Sequence, residues 1–465
     1  MSIRLFTMYL KVPIILLAMI EGALLLFAPY LGGAIAYQGR DIHGITPTGS
    51  LFASALLFAS LALASMTAVG LYSTRQRTGL AGILVRIVAA VLNAGALSAL
   101  FYYVFPALRV DRSVLGITAM IGIAACFLVR VMFERIVDED LFKRRVLVYG
   151  AGKRARSLLE LRRRADQRGF RIVGFMATEG DASVSSPDRL SERPHDLFQW
   201  AVEHDLDEIV IAMDDRRRGF PMHELLECRL AGIEILELPS FLERETGKVR
   251  LDVLNPSWII FGEGFRASGL QQFLARGFDL TASLGLLVIA FPFMLLAMIG
   301  IKLEDGPRAP VFYRQTRVGQ RGQIFEVLKF RSMTVDAEKG GAQYAVKDDP
   351  RATWVGNIMR KTRIDELPQL INVLRGEMSF VGPRPERPEF VSELEQKIPY
   401  YRERHTVKPG ITGWAQLCYP YGSSEKDTIE KLQYDLYYVK NRSLLFDLAI
   451  LVQTVEVVLW GKGAR

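Results

Sequence analysis

Asp365 and Glu366 are adjacent carboxylates in the stretch RKTRIDELPQLINVLRGEMSFVGPRPERPEF, which is otherwise crowded with cations. Pro368 has no N–H and is best tolerated in a helix's first turn, so the apolar-periodic segment LPQLINVL is expected to start its helix close to Asp365. Both carboxylates then stand at a helix N-terminus, where free N–H groups and the positive pole of the dipole favour carboxylate and incoming phosphate alike. Adjacent side chains diverge on a helix, so one can attack or bind a metal ion while the other manages a proton. A plain N-cap, with Glu366 supporting the first turn, is the commoner role of such a pair. The company argues for chemistry: Lys329 and Arg331 in KFRSM, Arg360 just before the pair, and Arg384 in GPRP. Short apolar or turn-forming residues separate these cations, unlike the even spacing of a solvated face, and they are expected to converge on phosphates. Pro383 and Pro385 restrict the backbone that carries Arg384, for which a rigid turn is the alternative.

Three elements are expected to position these residues. The chain has 465 residues, half of them hydrophobic, and a formal charge of +8, with a positive mean hydropathy. A hydrophobic chain with basic loops suits an anionic lipid surface and phosphate-bearing substrates, and no nucleic acid is called for. Cys126, Cys228 and Cys418 lie far apart and form no CxxC pair, which suggests neither a disulfide framework nor a zinc site. Four apolar stretches, near Val12 to Tyr37, Leu51 to Tyr72, Gly82 to Phe105 and Val114 to Phe133, are each long enough to cross a hydrocarbon core. The first is read as a retained membrane helix rather than a cleaved signal. Arg75, Arg77 and Arg86 between and within the second and third, with Arg135 and Lys143 to Arg145 after the fourth, put both ends of this unit on the cytoplasmic side, against a weaker bias from Arg40, Arg109 and Arg112. Glu21 inside the first helix is either a functional polar contact or a group that faces a neighbouring helix.

From Lys143 the segments RRVLVY, FRIVGFM, DEIVIAM and GIEILEL alternate with helical stretches, the pattern of a small doubly wound Rossmann-like α/β domain. Gly150, Gly152 and Ala155 imitate a GxGxxA phosphate turn, but no acidic residue closes the second strand before Glu179. A structural or regulatory domain and a dinucleotide site both remain open. The expected borders are 1–140 for the membrane unit, 141–265 for the α/β domain and 266–465 for a mixed α/β catalytic domain.

A fifth apolar run, Phe278 to Ile301, has Pro292 near its middle and arginine or lysine on both sides. Positive charge at both ends is what a spanning helix avoids, and a mid-depth proline bends a helix. The segment is therefore expected to be a re-entrant helix-break-helix that returns to its own face, with a kinked ordinary span as the alternative. Near the C-terminus, SLLFDLAILVQTVEVVLW carries Asp447 and Glu456 and reads as an amphipathic helix lying on the membrane.

RQTRVG, KFRSM, DELPQL, FVGPRP and KPGITGWAQ occur in order between about Phe273 and Trp460. In these motifs the chain resembles the bacterial sugar transferase family of polyprenyl-phosphate hexose-1-phosphate transferases, in its large form with an N-terminal membrane unit and Rossmann-like domain. The resemblance implies a UDP-sugar donor, undecaprenyl phosphate as acceptor, Mg²⁺ at the site, and a place in the bacterial cytoplasmic membrane facing inward. It implies Asp365 as nucleophile, Glu366 as its assistant, Arg360 as the family's arginine ahead of the pair, and both carboxylates as metal ligands. Many members have serine before the proline of the re-entrant segment, where this chain has Phe291. The expected reaction is a two-step displacement with an aspartyl phosphosugar intermediate, initiating exopolysaccharide or other glycoconjugate synthesis. Its rivals are a direct displacement with Asp365 only on the metal, and a membrane regulatory or assembly protein whose α/β domain senses a nucleotide. An NAD-dependent sugar-nucleotide enzyme would need a Tyr-x-x-x-Lys pair, which is absent between Gly150 and Phe265. A homo-oligomer is compatible with the sequence, and the sugar is not legible in it.

Overall fold

The computed structural model describes residues 2–5, 8–37, 50–72, 80–136, 143–161, 169–178, 181, 196–215, 219–254, 268–335, 349–419, 422 and 424–459. Arg40, Arg75, Arg77, Glu179 and the expected domain borders near 140 and 265 lie outside the described residues, as does the side chain of Glu456. Two compact units form, Met1–Thr246 and Gly247–Arg465.

A short antiparallel pair, β1 (Ser2–Leu5) and β2 (Met8–Lys11), leads into four long helices: α1 (Val12–Tyr37), α2 (Leu51–Ala68), α3 (Leu80–Val104) and α4 (Arg112–Ile136). Their apolar residues are distributed all round, so each helix buries one side on its neighbours and leaves large side chains such as Phe27, Leu92 and Leu128 exposed, the surface lipid would cover. The buried charges Glu21, Arg86 and Arg130 of the bundle have polar partners, whereas the Ser98 and Thr118 hydroxyls are buried without one among the described residues. Glu21 is fully buried and takes Arg130 Nε at 2.6 Å, Arg130 Nη2 at 2.9 Å and the Tyr72 hydroxyl at 2.5 Å. Of the two roles expected for Glu21, the structure shows the contact with neighbouring helices.

The α/β part of this unit is a four-stranded parallel sheet in the order β4-β3-β5-β6, from β3 (Arg144–Tyr149), β4 (Phe170–Met176), β5 (Glu208–Ile211) and β6 (Glu234–Glu237). Helices α5 (Lys153–Leu159), α6 (Leu197–Glu203), α7 (Met222–Leu230) and α8 (Leu238–Thr246) connect and flank the strands. The central strands read as continuous apolar runs because helices cover both faces, and Val146, Leu147, Val148, Ile209 and Val210 are all completely buried. Buried Glu208 is held by Arg144 at 2.8 Å and Arg244 at 2.7 Å.

In the second unit the dominant element is α9 (Gly269–Asp305), 37 residues long and capped by a reciprocal Ser268–Gln271 box. It runs through Pro292 as one helix, in place of the expected helix-break-helix. A proline removes one N–H and leaves the neighbouring turns their own bonds, so its presence alone does not end the element. Both ends of α9 are fastened to the same body. Arg276 near its start donates to the carbonyls of Val373 and Leu374 at 2.6 and 2.7 Å. At its other end, Glu304 accepts the backbone N–H of Trp354 and of Val355, and Asp305 accepts from Arg331.

The rest of the unit is an antiparallel hairpin, β7 (Phe312–Val318) and β8 (Ile324–Phe330), followed by α10 (Trp354–Thr362), a 3-10 turn (Ile364–Glu366) and α11 (Gln369–Arg375). Then come β9 (Ser379–Val381), α12 (Pro388–Lys397), β10 (Gly410–Thr412) parallel to β9, α13 (Trp414–Cys418), α14 (Glu425–Asn441) and α15 (Leu444–Leu459). Gly247 and the residues after it join this unit: Trp414 donates to the Gly247 carbonyl at 2.7 Å and Val249 N–H to Gln433 at 3.0 Å. Among the described residues, five helices, α1 to α4 and α9, are long and apolar enough to cross a membrane.

Candidate active site

The carboxylate pair is set by a sharp change of direction. Helix α10 ends at Arg363 in the left-handed region (φ 61°), and the chain turns straight into the 3-10 turn that carries Asp365 and Glu366. Pro368 then caps α11, as its missing N–H allows. The pair therefore precedes α11 by one turn rather than forming its first residues. Buried Asn372 of α11 locks this helix to the hairpin, accepting from Leu328 N–H at 3.0 Å and donating to the Glu326 carbonyl at 2.7 Å. That fixes β8, and with it Lys329, beside the turn.

Glu366 Oε1 is the meeting point of three cations: Lys329 Nζ at 3.2 Å, Arg384 Nη2 at 3.3 Å and Arg363 Nη1 at 3.7 Å. Burial opposes its ionisation, but Lys329, Arg384 and Arg363 outweigh burial and hold the Glu366 carboxyl well below the usual range. Burial pulls the Lys329 ammonium down, against the upward pull of Glu366. Asp365 differs. It is 9% exposed, and its Oδ1 has no hydrogen-bond partner. Burial first, and the negative neighbour Glu366 second, push its carboxyl up to about 6. One carboxylate is thus neutralised by contact and the other keeps an open oxygen, an arrangement in which two like residues take different roles.

Arg384 owes its place to the turn after β9. Arg404, buried with Asp435 at 2.8 Å, donates to the Arg384 carbonyl at 3.0 Å, and Arg317 of β7 donates to the Pro385 carbonyl at 3.1 Å. A small cleft beside the carboxylates is lined by Arg317, Lys329, Gln369 and Arg384. A larger cavity of about 380 Å³ lies elsewhere, against Asp349, Trp354, Asn357 and Lys361.

Of the cations singled out in the sequence, Lys329 and Arg384 meet at Glu366. Arg360, in the last turn of α10, adds positive potential at Asp365 and makes no side-chain hydrogen bond among the described residues. Arg331 is not part of the group: it is bonded to Asp305 at the end of α9, at 2.6 Å. Its Nε and Nη1 are buried without partners. Sequence reasoning missed Arg363, although its spacing of three from Glu366 was a usable signal, and Arg317, which lies in the RQTRVG motif itself.

As to metal, no group of three histidine, cysteine or carboxylate ligands exists among the described residues. Mg²⁺ does not require one, since it is commonly held by one or two carboxylates together with substrate phosphates and water. Asp365 Oδ1, a buried hard oxygen with no protein partner, fits that donor set.

The weaker candidate, the turn at Gly150 and Gly152, is filled by the protein itself. Asp214 accepts the N–H groups of Lys153 and Arg154, both at 2.9 Å, and Asp181 accepts those of Ala151 and Thr178, both at 2.8 Å. A Cβ on Gly152 would lie 2.2 Å from Asp214 Oδ2, so the glycine here admits a carboxylate.

Comparison with known proteins supplies a context for this geometry. Residues 270–461 match the family model described as bacterial sugar transferase, and residues 67–222 match one described as CoA-binding domain. The UDP-glucose:undecaprenyl-phosphate glucose-1-phosphate transferase of Escherichia coli (strain K12) is 33% identical over 343 residues, which is 72% of each chain. The UDP-N-acetylgalactosamine-undecaprenyl-phosphate N-acetylgalactosaminephosphotransferase of Aeromonas hydrophila is 41% identical over 252 residues, 54% of this chain, and the chain spans 58% of that relative's length. The exopolysaccharide production protein PSS of Rhizobium leguminosarum bv. phaseoli is 42% identical over 197 residues, covering 98% of that protein and 41% of this one.

Proposed function

The chain belongs to the bacterial sugar transferase family, and from that premise we propose that it transfers a sugar 1-phosphate from a UDP-sugar to undecaprenyl phosphate, releasing UMP, as the initiating step of exopolysaccharide or other glycoconjugate synthesis. The observation that carries this reading is the asymmetry of the pair, an open, buried Asp365 oxygen beside a Glu366 clamped by three cations.

The Asp365 carboxylate attacks the sugar-linked β-phosphorus, a P–O bond forms, and the bond to UMP breaks with its electrons leaving on UMP. An oxygen of the acceptor phosphate then attacks the same phosphorus, and Asp365 departs as a free carboxylate. With a pKa of about 6, Asp365 is mostly ionised at neutral pH and more basic than an ordinary aspartate, which suits a nucleophile. Lys329, Arg363 and Arg384 offset the repulsion between this anion and the diphosphate. Mg²⁺, held by Asp365 with Glu366 beside it, would polarise the phosphoryl oxygens. Arg360 lends its positive potential to Asp365, and Arg331 braces the end of α9 rather than the phosphates.

The reading includes three units, with the first border near 140 and the second, expected near 265, drawn back to Gly247 because the residues from there group with the second unit, in the cytoplasmic membrane with the site facing the cytoplasm, where nucleotide sugars are found. Attachment of both ends of α9 to one body, with exposed Leu284, Val288, Phe291 and Leu296 between them, supports a single helix, bent at Pro292, that dips into one leaflet and keeps both ends on the same face. The test is UMP release by the purified full chain from a panel of UDP-sugars, with and without polyprenyl phosphate and Mg²⁺. Acceptor- and metal-dependent release that Asp365→Asn abolishes supports the proposal and names the sugar; no release from any donor overturns it.

A further inference from the structure

Two cations from separate parts of the second unit meet at the turn between α11 and β9, and a third lies near enough to act on the charges of Lys408 and Asp279. Arg276 comes from the start of α9, Lys408 from the segment before β10, and Arg442 from the link between α14 and α15. A Cβ built on Gly376, which is in the left-handed region (φ 85°), would lie 3.5 Å from Arg276 Nη2 and 3.6 Å from Lys408 Nζ. The absent side chain leaves a space the size of a phosphate oxygen, within reach of both nitrogens. Arg276 is partly occupied as the cap of α11, through the carbonyls of Val373 and Leu374. Lys408 and Arg442 are half-buried and make no hydrogen bond or ion pair among the described residues. Burial, followed by Arg276, lowers the Lys408 ammonium. Two carboxylates lie near, and both are engaged: Asp279 accepts from Ser379 and Phe380, and Asp447 from Tyr438.

The setting says where the counter-anion comes from. On α9, exposed Leu270 and Phe273 precede Arg276 and exposed Leu280 and Leu284 follow it; on α15, exposed Leu444, Leu445 and Leu448 follow Arg442. Half-buried cations bordered by apolar helix faces are placed at the depth of lipid headgroups. Lys408 precedes β10 while Arg384 follows β9, and these strands pair in parallel, Ser379 opposite Gly410. The positive charges that act most on Asp365 and Glu366 are those of Lys329, Arg384, Arg363 and Arg360, and none of them belongs to this cluster.

We infer that Arg276 and Lys408 at Gly376, with Arg442 nearby, form a binding site for the phosphate of an anionic membrane lipid, separate from the catalytic carboxylates. It anchors the second unit to the bilayer at the start of α9. Native mass spectrometry of the detergent-purified full chain, titrated with dioleoylphosphatidylglycerol or dioleoylphosphatidylcholine, tests this. The wild type should retain one phosphatidylglycerol more tightly than any phosphatidylcholine, and the Lys408→Gln, Arg442→Gln double variant should lose that preference, about five-fold in affinity for each charge removed. Lys408→Arg should keep it, and an unchanged melting temperature would exclude misfolding of the double variant. Equal retention by wild type and double variant overturns the inference. So does displacement of the lipid by millimolar inorganic phosphate, which would make this a free-phosphate site, or by equimolar polyprenyl phosphate, which would make it the acceptor's.

Discussion

Two turns in this chain are built to handle negative charge, and they do it in opposite ways. The turn from Gly150 to Arg154 offers four backbone N–H donors together with Thr178, and carboxylates from the same domain occupy them: Asp181 and Asp214 stand where a diphosphate would. The turn from Ile364 to Glu366 carries carboxylates of its own, brings three cations onto one of them, and leaves the other an open oxygen. The first turn is satisfied and the second is not. Resemblance to a phosphate-binding pattern thus says less about ligand binding than whether the protein has already supplied the counter-charge.

Breaking the second turn should have the largest effect. Asp365→Asn keeps the shape but removes the nucleophile, and UMP release should fall by about a thousand-fold or more. Glu366→Gln should cost about a hundred-fold, since Lys329, Arg363 and Arg384 lose their shared partner. The acid limb of kcat/KM sharpens the contrast between the two carboxylates. Because Asp365 must be ionised to attack and its carboxyl sits at about 6, the rate should fall ten-fold per pH unit below 6, whereas an unperturbed aspartate would hold its rate down to about 4. The smallest effect belongs to the first turn. Asp214→Ala should leave UMP release nearly intact and cost about 1 kcal/mol of stability in the α/β domain, measured by thermal melting, because two N–H groups at the start of α5 lose their acceptor. If Asp214 is only a plug, the same variant should bind ADP, detected by calorimetry, where the wild type does not.

Much of this was legible in the sequence because the signals were local. The four membrane helices begin and end within a few residues of the apolar runs, and the strands of the parallel sheet fall on the segments that read as continuous apolar stretches. Pro368 placed the carboxylates at the start of α11, to within one turn. What the sequence hid depends on residues far apart in the chain. Asp181 and Asp214 reach Ala151 and Lys153 across 30 and 61 positions, so a motif search sees the glycines without the plug. Arg331 and Lys329 are two apart in KFRSM and look like one group in the sequence, but one turns to Asp305 and the other to Glu366. Only the fold decides between them. The path of α9 was hard to read for another reason: a proline signals a possible bend, but the hydrogen bonds of the neighbouring turns determine whether the helix ends.

The pairing of Glu21 with Arg130 bears on how the chain enters the membrane. These residues belong to the first and fourth helices, 109 positions apart, and each is nearly inaccessible once paired. Alone, a charge at the centre of an inserting helix costs about 3 kcal/mol at the translocon. During synthesis the first helix must therefore carry its glutamate unneutralised until some hundred further residues have been made. Biogenesis should favour holding the first three helices at the insertion machinery, and releasing the bundle to lipid only when the fourth brings the arginine that completes it.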